Sequence, residues 1–148
     1  YRTYYDRALL NVDGDVWRPR GWHPQVVVIG LGINDFSTDI NPGEPWTPES
    51  LRDAYHDAYL AFIDKLRARY GPRTYIVVSA TYLSNTTVPS ELAQRIVKER
   101  EAGGDSRVRY WYYDGLDYLG CHYHPSLRDH QVIAGQLLTF LKSLPVRW

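Results

Sequence analysis

The stretch QVVVIGLG (residues 25–32) decides the fold. It is a continuous apolar, β-branched run closed by glycine, with no polar residue between Val26 and Ile29. A strand with one wet face would alternate, so an unbroken run predicts a parallel strand buried on both faces. Such strands need helical crossovers, and the downstream sequence supplies one. Thr47 reads as an N-cap, with Pro48 at the first helical position and Glu49 in the first turn. Leu51, Tyr55, Ala58, Phe62, Ile63, Leu66 and Tyr70 follow at helical spacing, and Gly71-Pro72 stops the helix.

The alternation then repeats. TYIVVSA (74–80) is a second strand, and a polar loop through Asn85 leads to Pro89 and a helix over about 89–101, ended by Gly103-Gly104. RVRYWYYD (107–114) is a third strand. Ser126 caps a last helix, with Asp129 completing a capping box and Ile133, Leu137, Phe140, Leu141 and Leu144 as its apolar face. The order βαβαβα predicts an α/β fold, three layers deep, with a parallel sheet between helices. Active sites of such sheets lie beyond the C-terminal ends of the strands. GINDFS follows the first strand and GCHYHPS follows the third.

With 148 residues the chain is one domain at most, 44% hydrophobic and 23% charged, with net charge +0. That balance gives no electrostatic reason to expect nucleic acid or an acidic membrane as partner. A single cysteine, Cys121, excludes an internal disulfide framework. No apolar run is long enough to span a bilayer, and no signal peptide is visible. Asn85-Thr86-Thr87 would be a glycosylation acceptor in a eukaryotic secretory pathway. The chain lacks methionine and begins at Tyr1, so it reads as processed, trimmed or a fragment. The strand at 25–32 is too apolar for an exposed edge and expects neighbours on both sides.

Gly32-Ile33-Asn34-Asp35 and His124-Pro125-Ser126, in that order and at the ends of those strands, resemble the motif blocks of the SGNH (GDSL) hydrolases. The pattern GC-x-Y-HPS…DHQ resembles the carbohydrate esterase family 2 acetyl esterases within them. The resemblance covers nearly the whole chain, with YYDRALL (4–10) matching the segment before the Gly-x-Asn-Asp strand. It implies a flavodoxin-like SGNH fold, here partial, and removal of acetyl groups from sugar hydroxyls through an acyl-enzyme, without a cofactor. Residues 1–148 would be the C-terminal part of that domain. The expected partners are an acetylated sugar or polysaccharide and the N-terminal part of the same domain. The expected location is secreted or extracellular.

The family's nucleophile sits in a Gly-Asp-Ser block on an N-terminal strand, and no such block follows an apolar strand here. GGDSRV (103–108) contains the letters but precedes a strand, so it reads as a turn. Ester hydrolysis needs a nucleophile, a base and donors for the oxyanion. The resemblance makes His124 the base and Asn34 an oxyanion donor, while Asp35 reads as structural, bonding nearby amides. The family often carries an aspartate two residues before the histidine to orient it. His122 stands there instead. The orienting group is then a backbone carbonyl or another acid, and Asp114 and Asp117 in the same loop are the acids within reach.

His122, His124 and His130 also raise a zinc site. However, His130 falls on the stripe of Ile133 and Leu137, which reads as a core histidine, and no other Cys or His pair shows ligand spacing. Zinc is therefore not expected. A reading from a different class is a non-catalytic carbohydrate-binding or interaction domain, with Trp17, Trp22, Trp46 and Trp111 as stacking surfaces.

Overall fold

The computed structural model describes residues 4–9, 11–14, 16–17 and 21–146. Of the YYDRALL segment, Leu10 lies outside them. The elements run β1 (Val26–Ile29), α1 (Ile33–Phe36), α2 (Pro48–Tyr70), β2 (Tyr75–Thr81), α3 (Val88–Ala102), β3 (Val108–Tyr113), a 3-10 turn (Cys121–Tyr123) and α4 (Leu127–Ser143). The strands form one parallel sheet in the order β1-β2-β3, with Val26 opposite Tyr75 and Ile76 opposite Val108.

Both crossovers step in the same direction, and both place their helix on the same face. There α2 and α3 bury Phe62, Ile63, Leu66 and Ile96 against Ile76 and Val78 of β2. On the other face, Tyr75, Val77 and Trp111 pack under Ile133, Leu137, Phe140 and Leu141 of α4. The result is the three-layer α/β/α arrangement expected from the element order. β2 is buried along its whole length, as an unbroken apolar run requires. Each fully buried Val or Ile there contributes about 1.5–3 kcal/mol relative to exposure.

The start of α2 follows its sequence cues. Thr47 accepts from the Ser50 amide, Ser50 returns the bond to the Thr47 amide, and Gly71 terminates the helix with φ 81°. β1 is shorter than its sequence run and pairs, among the described residues, on one side only. Val28 is 40% exposed. The expectation of neighbours on both sides of this strand is therefore not met within the described residues.

Two readings of single residues need correction. His130 is exposed, not a core histidine. Helical spacing gives an angular position, but burial also needs an element beneath, and α4 meets the sheet through its later turns from Ile133 onward. Trp111 is 7% exposed, stacked on Tyr113 at 4.9 Å and covered by Phe140, so it is core and not a stacking surface.

Candidate active site

The two motif blocks lie at the C-terminal end of the sheet, one after β1 and one after β3. The first is shaped by Gly32, which caps α1 with φ 104°. A Cβ there would stand 2.5 Å from the Tyr55 hydroxyl, so the close approach and the left-handed backbone both demand glycine. Tyr55 donates to the Leu31 carbonyl at 3.0 Å and meets Phe36 edge-on at 5.1 Å, which anchors the one-turn helix carrying Asn34. Burial, then the negative charge of Asp35, pushes the Tyr55 hydroxyl well above its ordinary pKa, so it stays protonated and donating. Asn34 is exposed. Asp35 is also exposed and bonds no backbone amide among the described residues, against expectation; its position in a single helical turn points it at solvent. From the neighbouring loop, Asn85 donates to the Ser37 carbonyl at 3.2 Å and ties down the far end of the same helix.

The second block is a tight loop. Gly120 donates its N–H to the His124 carbonyl at 2.9 Å, and a Cβ on Gly120 would lie 2.5 Å from that oxygen. Tyr118, His122 and Tyr123 have φ of 53°, 51° and 60°. Non-glycine residues rarely adopt this region, and such strain clusters at functional sites. The folded loop turns two carbonyls toward the His124 ring. His124 Nδ1 lies 3.0 Å from the Cys121 carbonyl and 3.1 Å from the His122 carbonyl. Carbonyls only accept, so Nδ1 carries the proton and Nε2 presents its lone pair. That is the tautomer a general base needs.

Of the alternatives left open by sequence, the backbone carbonyl is the group found on Nδ1. His122 supplies its main chain to the histidine, and its ring is exposed. Asp117 pairs its carboxylate with Arg128. Asp114 is pinned by its backbone to Gln136, through bonds of 3.3 and 2.8 Å, and lines a cleft of about 310 Å³ with Tyr82, Tyr112 and Tyr118. Asn34 and His124 share one end of the sheet without a hydrogen bond between them. Among the described residues no serine hydroxyl bonds to His124, and no group of three side chains is placed to hold a metal ion. GGDSRV lies at the opposite end of the sheet, where Asp105 grips Arg67 with both oxygens at 2.7 and 2.9 Å. It is a structural turn.

Sequence reasoning read Asp129 only as a helix cap. It is 1% exposed, and beyond the Ser126 amide at 2.7 Å its carboxylate accepts the Asp117 amide at 2.8 Å. The Ser126 amide first, then that of Asp117, holds this carboxyl below its ordinary range. Nothing in the sequence marks the second bond.

An acetylxylan esterase / glucomannan deacetylase of Cellvibrio japonicus is 36% identical over 147 residues, 99% of this chain and 40% of its own length. A solved carbohydrate esterase, whose active site is described as displaying divergent catalytic and non-catalytic binding functions, superposes with a TM-score of 0.89 at 36% identity, covering 97% of this chain and 45% of that one. A family two carbohydrate esterase from Clostridium thermocellum, solved with cellohexaose, superposes with a TM-score of 0.78 at 28% identity, covering 94% of this chain and 41% of that one. The chain is a homologue of family 2 carbohydrate esterases. No protein-family model matches it. This carbohydrate-esterase homologue spans less than half the length of these relatives. Its parallel sheet and paired blocks have the SGNH-type architecture of those structures.

Proposed function

We propose that the complete protein containing these residues is a secreted acetyl esterase acting on carbohydrate hydroxyls, and that residues 1–148 are the C-terminal part of its catalytic domain. The serine nucleophile comes from a preceding segment. Its Oγ attacks the acetyl carbon while His124 Nε2 takes its proton. The charge that develops on the carbonyl oxygen is met by the Asn34 amide. Collapse expels the sugar oxygen, to which His124 returns the proton, and a water activated by the same nitrogen releases acetate from the serine. No metal or organic cofactor enters these steps.

The observation that carries this reading is the pair of carbonyls on His124 Nδ1, which leaves Nε2 free to act as base. The apolar β1, paired on one side among the described residues, supports a further strand beside it, next to Asn34. The binding-module alternative has less support, because one of its four tryptophans is core and Trp17 and Trp22 pack on each other at 5.9 Å.

Purified residues 1–148 should be nearly inactive on aryl acetates and unlabelled by a fluorophosphonate. The complete protein should turn over and take the label on a serine outside this range. Full-rate turnover by residues 1–148, with one of their own serines labelled, would defeat the proposal. So would a complete protein that binds acetylated sugar but never releases acetate.

A further inference from the structure

The buried carboxylate of Asp129 does more than a helix cap requires. A capping carboxylate needs one oxygen on the amide at the N-cap, and Oδ2 fills that role on Ser126 at 2.7 Å. Oδ1 is used elsewhere, on the Asp117 amide at 2.8 Å. Asp117 and Ser126 bracket the whole histidine loop, so one side chain joins its two ends. Within that bracket sit the three left-handed non-glycine residues, the Gly120–His124 bond and both carbonyls that face Nδ1. A loop holding that many unfavourable dihedrals persists only if its surroundings over-determine it. Among the described residues the Asp129 side chain is one of the few that are fully buried and the only charged one of them, which fixes it in place.

Resting on the reading of His124 as the base, we infer that Asp129 is a positioning residue for it. By tying Asp117 to Ser126, Asp129 holds the Cys121 and His122 carbonyls under Nδ1 and so sets the tautomer of His124. It touches no reacting atom. The chain thus uses a carboxylate to orient its histidine at one remove, through the backbone.

The test separates this role from capping, and it does not depend on esterase activity. The tautomer of His124 is read from ring nitrogen shifts in two-dimensional NMR of the complete protein at a pH where the ring is neutral. Ser126→Ala removes the capping hydroxyl but keeps both carboxylate bonds. Asp129→Glu keeps a capping-box side chain, but its longer reach cannot serve Ser126 and Asp117 together. Wild type and Ser126→Ala should both show the Nδ1–H form. Asp129→Glu and Asp129→Asn, with helix content intact by circular dichroism, should show a mixture of both tautomers. Exchange of the Asp117 amide should quicken by roughly tenfold or more in the same two variants, as loss of a bond to a charged acceptor implies. Unchanged tautomer in folded Asp129 variants, or an equal loss in Ser126→Ala, would overturn the inference. Should the Asp129 variants fail to fold, wild-type exchange decides. The Asp117 and Ser126 amides should open together and slowly, and an Asp117 amide exchanging at the rate of an open loop would overturn it.

Discussion

Replacing His122 gives the sharpest separation between a histidine that acts through its backbone and one that acts through its ring. Its carbonyl lies 3.1 Å from His124 Nδ1, and its φ and ψ are 51° and 42°. Left-handed geometry costs an L-residue about 1–2 kcal/mol, and histidine is somewhat favoured there. Exchanging one L-residue for another changes that cost by under about 1 kcal/mol, which is roughly fivefold in an equilibrium. His122→Ala in the complete protein should therefore lose less than about tenfold in kcat/KM for an aryl acetate. His122→Gly, which adopts this backbone freely, should match wild type. His122→Asp should stay within about fivefold, because the side chain at this position is exposed and the groups bonded to Nδ1 are main-chain carbonyls. His122→Pro is the opposite case. Proline fixes φ near −65°, the loop cannot close, and both carbonyls are lost to the base. Misplacement of that size costs roughly 10² or more in rate, so this variant should approach His124→Ala. Circular dichroism should show the α/β core intact throughout. If His122→Ala and His122→Gly are both as damaging as His124→Ala in folded protein, the ring of His122 is the working group and the assignment of His124 as base is lost.

Three further outcomes follow from the same geometry. Asn34→Ala should lower kcat by roughly 10²–10³ while leaving KM little changed, since the bond strengthens only as charge develops; steady-state kinetics on the complete protein would check it. Dialysis of that protein against a strong chelator should leave activity and folding unchanged, and stoichiometric zinc whose removal abolishes activity would contradict the metal-free mechanism. Asp105 is partly buried, which pushes its carboxyl up, but the hydrogen bonds and charge of Arg67 prevail and hold it below its ordinary value. Its ion pair thus stabilises the fold above the unfolded carboxyl pKa of about 4, and that contribution disappears as pH falls through the lower folded value. Asp105→Asn should melt below wild type at neutral pH, with the gap closing in acid.

The layers were legible because apolar period and capping chemistry act locally. VVVI and YIVVSAT announce strands by their unbroken β-branched runs, and Thr47, Ser126, Gly71 and Gly103 mark helix ends by satisfying or freeing backbone groups nearby. His130 and Trp111 were misread for one shared reason. Their burial depends on where α4 lands on the sheet, and neither residue's own neighbours in sequence encode that.

The orientation of His124 was illegible for a different reason. Every residue carries a carbonyl, so a histidine held by main-chain oxygens leaves no side-chain signature near it. The departure at His122 looks like a missing acid only if the acid must bond the imidazole directly. What distinguishes the two arrangements is backbone conformation, here the left-handed residues at 118, 122 and 123, and none of these is a glycine that would have betrayed the turn. The carboxylate that sustains the loop sits downstream at Asp129, inside a helix, where its spacing already has a sufficient explanation as a cap. Motif comparison would therefore score this site as lacking its acid, whereas the geometry supplies the same tautomer by another route.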